Sequence, residues 1–434
     1  MPSIPYIPNT EHDQRVLLDA IGAASIEELF DDIPSELRNP VLNLPPPLSE
    51  IELRREFQRL SAESANVEEY ACFLGGGAYR HYIPATVWRL AQLSGLATSY
   101  TPYQAEISQG VLQTTYEFQG LVCQLLGMEV SNAGMYDGAT ALAEAALMAC
   151  RLTGRSIVAA EASVAPRYLD VVRTYVTPQG IEVADSSEVG EDVACVLAQS
   201  PNFFGYVEDV EALVGRAHRA GALAVVATDP IAAGLLRPPG EYGADIVVAE
   251  GQPLGIPLSF GGPYLGLFCC KTEHLRQMPG RIVGATVDGN GKRGYVLTLQ
   301  TREQHIRRER ATSNICTSES LAATAATIYM ASMGKPGMRQ VAELCYHKAH
   351  YAASRIAELP GYSLAFEGLF FKEFVVRCPR SPSEINRGLA ERRIIGGLDI
   401  SAQVENGMLL CVTEMISRDD IDALVDGLVQ VGPA

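Results

Sequence analysis

Three short stretches of the sequence carry residue types suited to holding a phosphate and a pyridine ring. Asp137-Gly138-Ala139-Thr140 opens a helix predicted to run to Leu152, where free backbone N–H groups and the helix dipole favour a phosphate. Asp229 follows a predicted strand, Ala222–Ala227, and a carboxylate at such a strand end can keep a pyridine nitrogen protonated. Ser259-Phe260-Gly261-Gly262-Pro263 is a loop whose glycines permit close backbone approach. Together they indicate a pocket of the pyridoxal-phosphate type.

Each stretch also has an ordinary structural explanation. An Asp-Gly pair before a helix is most often a plain cap, and Asp229-Pro230 is most often a turn. The order and spacing of the stretches along one predicted sheet are what favour a shared pocket, because ligands of open α/β sheets sit at the carboxyl ends of the strands.

The amine that this cofactor chemistry requires is missing from its expected place. The cofactor is normally held by a lysine just past the strand after the aspartate, here Ile246–Ala249. That stretch reads Glu250-Gly251-Gln252-Pro253-Leu254-Gly255, with Gln252 and Pro253 where the amine is wanted. The five lysines are Lys271, Lys292, Lys335, Lys348 and Lys372. Lys271 comes one strand too late, so we expect a vestigial pocket at Asp137, Gly138, Thr140, Asp229, Gln252 and Pro253, and no cofactor bond in this chain alone.

The elements that position these residues alternate between apolar strands and amphipathic helices. Near-continuous apolar runs between residues 139 and 270 predict an α/β fold with a mainly parallel sheet covered by helices. Capping signals at Thr10, Ser25 and Ser49 predict a helical N-terminal arm over 1–65. We expect a large α/β domain over 66–315 and a smaller α+β domain over 316–434.

Composition narrows the class of protein. The chain has 434 residues and a formal net charge of −17, which argues against non-specific binding to nucleic acid. The ten cysteines have no zinc spacing, so no metal site is expected. We predict a cytoplasmic protein, because residues 1–10 lack the features of an export signal and the apolar runs are too short to span a membrane.

Four strings of the sequence are long enough to be specific. They are Tyr100-Thr101-Pro102-Tyr103-Gln104-Ala105-Glu106-Ile107-Ser108-Gln109-Gly110, Gly261-Gly262-Pro263-Tyr264-Leu265-Gly266, Leu299-Gln300-Thr301-Arg302-Glu303-Gln304-His305-Ile306-Arg307-Arg308 and Ala311-Thr312-Ser313-Asn314-Ile315-Cys316-Thr317. These four strings resemble the P-protein of the glycine cleavage system, and the resemblance covers nearly the whole chain. The likeness is to its N-terminal half, which many bacteria make as a separate subunit 1.

The resemblance implies a fold, an activity and partners. It implies fold type I of the pyridoxal-phosphate-dependent transferases, as in aspartate aminotransferase. It also implies a glycine dehydrogenase (decarboxylating), which releases the carboxyl carbon of glycine as CO2 and passes the aminomethyl group to the lipoyl arm of H-protein. In the split form, subunit 2 carries the lysine and the pyridoxal phosphate, and two copies of each subunit form a heterotetramer. Some family members read Asp-Glu-Gly-Thr where this chain reads Asp137-Gly138-Ala139-Thr140, which weakens a phosphate-holding role here.

Two aromatic segments are candidates for reaching the partner's active site. Tyr100, Tyr103, Gln104 and Glu106 combine hydroxyl, amide and carboxylate groups suited to a small polar substrate. His81, in Tyr79-Arg80-His81-Tyr82, is a candidate proton carrier. The alternative is that the tyrosines only pack at an interface and that His81 is a satisfied structural group.

Three further alternatives stay open. The run Arg302–Arg310 is either a solvated helix face with i,i+4 pairs or a rim that docks H-protein. The chain is either a subunit that contributes to the active site or a cofactor-free scaffold that supplies no site residue. A free-standing pyridoxal-phosphate enzyme that uses Lys271 is the third and least favoured possibility.

Overall fold

The computed structural model describes residues 8–38, 40–186 and 189–432. The prediction that residues 1–10 lack an export signal falls largely on residues 1–7, which lie outside the described part. The chain forms two compact units, Met1–Ser64 and Ala65–Ala434. None of the described helices is both long enough and apolar enough to cross a membrane.

Within its described residues, 8–38 and 40–64, the first unit contains two α-helices, α1 (Glu11–Ile21) and α2 (Glu50–Ser61). Both begin with the predicted capping boxes, at Thr10 and Ser49. The remaining capping signal, at Ser25, was wrong as a prediction of an α-helix start, because only a 3₁₀ turn over Glu27–Phe30 follows it. Pro34, four residues further on, lacks the N–H that a continuing helix needs.

The second unit holds the remaining elements within the described residues. Its helices are α3 (Ala85–Ala91), α4 (Ser94–Ala97), α5 (Gln109–Leu126), α6 (Gly138–Thr153), α7 (Pro166–Val176), α8 (Val210–Arg219), α9 (Gln304–Arg307), α10 (Ser320–Ala357), α11 (Pro382–Ala390) and α12 (Arg418–Val431). Its strands are β1 (Ala71–Cys72), β2 (Val130–Ser131), β3 (Ile157–Ala160), β4 (Glu182–Asp185), β5 (Val193–Ser200), β6 (Leu223–Thr228), β7 (Ile246–Glu250), β8 (Gly266–Cys270), β9 (Ile282–Val287), β10 (Arg293–Thr298), β11 (Ser363–Leu364), β12 (Glu373–Arg377), β13 (Ile394–Ile395), β14 (Leu398–Asp399) and β15 (Gly407–Cys411).

A seven-stranded sheet in the order β2-β8-β7-β6-β5-β3-β4 forms the centre of this unit. The strands β4, β3, β5, β6 and β7 pair in parallel, whereas β8 is antiparallel to both β7 and β2. Side chains of α6 and α7 pack on one face, and side chains of α5, α8 and α10 pack on the other. The predicted mainly parallel, doubly covered sheet is confirmed.

A four-stranded antiparallel sheet, β11-β12-β15-β14, lies in the C-terminal part. Its apolar side chains pack with α11, α12 and the second half of α10. Helix α10 departs from helical geometry at Gly334, where φ is 58° and ψ is 177°. The sequence Gly334-Lys335-Pro336-Gly337 predicts an interruption at this point, and the structure confirms it. The boundary at 315/316 between a large and a small domain stays a prediction.

Candidate functional site

The predicted pocket lies where the parallel strands β6 and β7 end, and a lysine from the C-terminal part enters it. Asp229 directly follows β6, and its Oδ2 lies 2.6 Å from Nζ of Lys372. The other carboxylate oxygen of Asp229 accepts the N–H of Ile231 at 2.8 Å. Lys372 is only 2% exposed. Both oxygens of the predicted pyridine-holding carboxylate therefore already have partners from this chain.

The Lys372 amine is held on two further sides. Nζ lies 3.1 Å from Nε2 of His81 and 3.6 Å from the ring centre of Tyr79, a distance typical of a cation–π contact. Burial, the largest single effect, lowers the pKa of this amine, but the Asp229 carboxylate together with the neighbouring Cys411 and Cys345 outweighs burial and raises the pKa of Lys372 above its usual value. Lys372 is thus a charged ammonium inside the protein.

His81 connects this ammonium to a second buried acid. Its Nδ1 lies 2.7 Å from Oε2 of Glu414, and burial together with Lys372 lowers the pKa of His81. Because the ammonium donates to Nε2, the imidazole is neutral and Nδ1–H donates to Glu414. Burial raises the pKa of Glu414, but bonds from His81 and the Tyr82 N–H outweigh it and bring that pKa to about 2.

Ligand-type atoms of His81, Cys345 and Glu414 lie within 4.8 Å of one another. All three are already used in hydrogen bonds, since the Cys345 thiol donates to the same Glu414 oxygen at 3.4 Å. A cation here would also lie beside the Lys372 ammonium. The trio is therefore explained as a hydrogen-bond cluster, in which His81 is buried with a partner on each ring nitrogen.

The predicted phosphate position at the start of α6 is filled by a carboxyl group. Glu250, the last residue of β7, accepts the Gly138 N–H at 2.9 Å through Oε2. Its Oε1 accepts the N–H groups of Gln252 at 2.8 Å and Leu265 at 3.3 Å. Burial raises the pKa of Glu250, and these backbone hydrogen bonds lower it. Burial has the larger effect, so the pKa is about 8.

The close approach of Glu250 to α6 depends on Gly138. A Cβ on Gly138 would lie 3.0 Å from the Glu250 nitrogen and 2.7 Å from the hydroxyl of Tyr168. Asp137 caps the helix by accepting the Thr140 N–H at 2.7 Å, as the ordinary explanation of this motif expects. The first N–H groups of α6 thus serve internal partners.

Gln252 occupies the expected position of the anchoring lysine and has a structural role. Its Oε1 accepts the Tyr79 N–H at 2.9 Å, and its Nε2 donates to the Tyr79 carbonyl at 2.9 Å. Nε2 also donates to the Ile256 carbonyl at 2.8 Å. Pro253 lines the same pocket. Gln252 therefore joins the loop after β7 to the segment that carries Tyr79.

Backbone contacts carry Lys372 into the pocket. The Phe371 N–H donates to the Gly205 carbonyl at 3.0 Å, and the Val412 N–H donates to the Lys372 carbonyl at 2.8 Å. Gly205 has φ of 90°, and a Cβ on it would overlap the Glu373 carbonyl oxygen. The neighbouring Glu373 carboxylate accepts the Gly76 N–H and the Tyr79 hydroxyl, both at 2.7 Å.

The residues of this chain do not fit a bound pyridoxal phosphate. The cavity lined by Tyr79, Tyr168, Asp229, Glu250 and Lys372 has a volume of about 50 Å³, enough for about three or four waters. A pyridinium nitrogen would meet the Lys372 ammonium, and a phosphate would meet the Glu250 carboxyl group. We therefore assign no reaction step to this pocket.

Lys271 lies at the opposite edge of the sheet. Because β8 is antiparallel to β7, Gly266 pairs with Glu250 near the pocket and Cys270 pairs with Ile246 at the far end. Nζ of Lys271 is 2.5 Å from Oδ1 of Asp245, the residue before β7. The geometry therefore argues against Lys271 as a cofactor anchor.

The candidate interface residues lie on an exposed loop. Tyr100 is 74% exposed and Tyr103 is 45% exposed, and Gln104 and Glu106 are also exposed. The Tyr103 ring lies 5.0 Å from that of His305. The structure thus groups these four residues on the surface and places His81 in the interior.

The comparisons with known proteins decide the family. The family model described as "Glycine cleavage system P-protein" matches residues 5–428. The chain belongs to this family. The P-protein family match thus confirms the resemblance carried by the four strings.

Individual P-protein relatives match over nearly their whole length. The chain is 52% identical to the probable glycine dehydrogenase (decarboxylating) subunit 1 of Desulfitobacterium hafniense, covering 98% of this chain and 99% of the relative. It is 50% identical to the protein of the same description from Thermomicrobium roseum, covering 98% of each.

Solved structures agree with the fold. A glycine decarboxylase (P-protein) of the glycine cleavage system, in inhibitor-bound form, is 43% identical, with a TM-score of 0.93 over 98% of this chain and 99% of that one. A sphingosine-1-phosphate lyase of Burkholderia pseudomallei is 14% identical, with a TM-score of 0.65 over 92% of this chain and 94% of that one, and supports the fold alone. The pyridoxal-phosphate-dependent fold predicted from the sequence is confirmed.

The loop of this P-protein family member that carries Tyr103 rests on a second polar cluster. Arg281, 4% exposed, donates through Nη2 to the Cys316 sulfur at 3.4 Å, and its guanidinium carbon lies 5.5 Å from the Tyr103 ring centre. Its Nε is 3.5 Å from a carboxylate oxygen of Glu303. Arg281 therefore supports the loop from inside the protein.

The solvated-helix interpretation of Arg302–Arg310 was wrong. Arg302 is buried and donates to the carbonyls of Met278 and Gly280. The run contains the end of one 3₁₀ turn (Gln300–Arg302), the four-residue helix α9 and a second 3₁₀ turn (Arg308–Arg310), each too short for a face of i,i+4 pairs. Arg307 and Arg308 are exposed.

Residue-by-residue reading of the sequence missed the two side chains that define the pocket. Lys372 was counted among the lysines but lies far from the sheet in sequence, and Glu250 was treated only as part of the stretch without an amine. Both were visible as charges next to apolar runs, in Leu369-Phe370-Phe371-Lys372-Glu373-Phe374 and at the end of Ile246–Glu250. Charged residues in such runs are rarely buried without a partner.

Proposed function

We propose that this chain is the cofactor-free subunit of a two-part glycine decarboxylase. With a lysine-bearing subunit 2 that holds the pyridoxal phosphate, it decarboxylates glycine and passes the aminomethyl group to the lipoyl arm of H-protein. The assembly is an α2β2 heterotetramer. The main support for placing the cofactor on subunit 2 is the filled pocket of this chain, in which the Lys372 ammonium lies 2.6 Å from the Asp229 carboxylate. The relatives named subunit 1 support the two-part assembly.

Reconstitution tests this proposal. Purified chain, purified subunit 2 and their mixture are each given carboxyl-labelled glycine and lipoylated H-protein. We expect labelled CO2 from the mixture and none above background from this chain alone. Release by this chain alone would overturn the proposal.

We further propose that the loop with Tyr100, Tyr103, Gln104 and Glu106 reaches the partner's active site. Its exposure supports this, since a loop that only stabilised this chain would bury its polar groups against it. The Arg281 contact beneath Tyr103 supports it as well, because a buried cation that holds a surface ring gives the loop a fixed position.

Changing Glu106 to Gln in the reconstituted enzyme tests the loop. Loss of a charge-assisted bond to a substrate group lowers turnover roughly ten- to a hundredfold, while the two subunits still co-elute in gel filtration. The matched control is Glu391→Gln, an exposed acid at the end of α11, which leaves turnover unchanged. Full activity of Glu106→Gln would instead favour the scaffold alternative, in which this chain supplies no site residue.

The exposed Arg307 and Arg308 are proposed as part of the H-protein docking rim. We expect Arg307→Gln with Arg308→Gln to raise the apparent Michaelis constant for H-protein several-fold at low salt, with less effect at high salt, because screening weakens exposed charges. The control pair is Arg219→Gln with Arg387→Gln, exposed arginines on α8 and α11. An equal effect of both pairs would contradict docking at Arg307 and Arg308.

A further inference from the structure

Lys372 and Glu250 mark the two places where the charged ends of a pyridoxal phosphate would bind. The carboxylate at the end of β6 accepts from the Lys372 ammonium, where a pyridinium N–H would otherwise donate. The first N–H of α6 donates to the Glu250 carboxyl group, where a phosphate oxygen would otherwise accept. Each side chain thus makes the bond that one end of the cofactor needs.

From this geometry we infer that Lys372 and Glu250 are built-in replacements for the cofactor's pyridinium and phosphate groups, and that they decide which subunit takes the cofactor. The inference rests on the proposed function and deepens it. The missing anchor lysine would weaken binding, but the filled pocket closes the site to the cofactor altogether.

The contacts of Lys372 show that it is fixed in the pocket. Its ammonium has Asp229, His81 and the Tyr79 ring on three sides, and its backbone carbonyl is bonded to the N–H of Val412. A pyridinium that displaced it would restore the contact with Asp229 but not those with His81 and the Tyr79 ring, and the displaced ammonium would need a new partner. Lys372 therefore stays in place when a cofactor is offered.

The contacts of Glu250 lead to the same conclusion at the other end. Three backbone N–H groups, those of Gly138, Gln252 and Leu265, donate to its carboxyl oxygens. Gly138 and Leu265 belong to different segments from Glu250, so the acid also joins the start of α6 to the segment before β8. A phosphate that displaced Glu250 would break all three bonds.

Binding of 4-deoxypyridoxine 5′-phosphate to this chain alone tests the inference. This probe has both charged ends of the cofactor but no aldehyde, so surface lysines cannot capture it. Calorimetry compares the wild type, Lys372→Ala, Glu250→Ala and the double variant. The control is Lys335→Ala, an exposed lysine on α10.

We expect no measurable binding to the wild type or to the control, and binding at least about 100-fold tighter by the double variant. Lys372 presents a like charge to the pyridinium, which alone costs several kcal/mol, and the Glu250 carboxyl group uses the backbone N–H that a phosphate oxygen needs. We expect the affinity of each single variant for the probe to lie between that of the wild type and that of the double variant. Tight binding by the wild type, or none by a double variant that still unfolds cooperatively, would overturn the inference.

A second measurement uses the unaltered protein and does not depend on a variant that folds. The chain is treated with pyridoxal phosphate and borohydride, and its labelled lysines are mapped by mass spectrometry. We expect label on the exposed Lys335 and none on Lys372. Label on Lys372 would show that its amine is free to leave Asp229 and would overturn the inference. Both measurements use this chain alone, so their failure is distinct from a failure of reconstituted activity.

Discussion

At the scale of single residues, the pocket is explained by charges that satisfy one another. Lys372 is paired with Asp229, His81 is bonded to Glu414, and Glu250 is bonded to backbone N–H groups. Buried charges are tolerated only with such partners, and removing one partner is costly because the other stays behind. Mutual pairing therefore allows this pocket to be both buried and polar.

Replacing each member of the buried Lys372–Asp229 ion pair by a neutral residue tests that explanation. Lys372→Met should lower the free energy of unfolding by about 3–5 kcal/mol, because it leaves Asp229 charged and unpaired. Adding Asp229→Asn should recover most of the loss, since no charge then remains to be paired. Urea unfolding of both single variants and the double variant measures the coupling. Strictly additive losses would show that the pair is not the source of the stability.

The elevated pKa of Glu250 gives a pH dependence. The carboxyl group titrates near 4.5 in the unfolded chain and near 8 in the folded one, so between these values the folded chain holds a proton that the unfolded chain has released. The contribution of Glu250 to stability is thus present below about pH 4.5 and is lost as the pH rises through 8.

Glu250→Gln, which cannot ionise, should therefore gain stability relative to the wild type as the pH rises from 5 to 8. The gain is up to about 1.4 kcal/mol per pH unit. Urea unfolding at three pH values measures it, with the exposed Glu391→Gln as a control whose difference from the wild type stays flat. A flat difference for Glu250→Gln as well would contradict the assignment.

The sequence could indicate only part of this arrangement at the residue scale. Asp229 and the Asp137 cap follow from local rules, since a strand end and a helix start are readable from nearby residues. Lys372 is 143 residues from Asp229, and nothing local to either residue encodes their pairing. The sequence disfavours Lys271 only by its order along the chain, whereas the antiparallel direction of β8, which places Lys271 at the far end of the strand, is visible only in the structure.

At the scale of elements, the strand directions decide which groups can meet. The ends of β6 and β7 form one edge of the sheet, and antiparallel β8 carries Lys271 to the other edge. Apolar runs and capping motifs were sufficient to predict β6, β7 and α6, because burial on both faces and helix ends leave clear local patterns. The segment from 299 to 317 has neither pattern, and its buried Arg302 was not predictable.

The contact between Gly205 and the start of β12 sets the position of Lys372. Gly205→Ala should destabilise the protein more than Gly154→Ala, by several kcal/mol. Both residues have positive φ, which costs about 1–2 kcal/mol for alanine, but only a Cβ at Gly205 meets another atom, the Glu373 carbonyl oxygen. Equal losses of thermal stability would show that the contact is dispensable.

At the scale of the whole molecule, the chain keeps the complete fold of the pyridoxal-phosphate-dependent enzymes, and its own side chains occupy the pocket at the ends of β6 and β7. It matches a P-protein structure over 98% of its length with a TM-score of 0.93, so the architecture of the family is retained. We propose that such a chain retains the surface that completes a partner's active site while leaving the covalent chemistry to that partner.

Cofactor content of the purified two-subunit assembly tests this account most directly. Pyridoxal phosphate is released with alkali and quantified against protein, and borohydride reduction beforehand locates its attachment. We predict one cofactor for each pair of unlike chains, attached to a lysine of subunit 2. Two cofactors for each pair, or a reduced attachment on Lys372 or Lys271 of this chain, would contradict it.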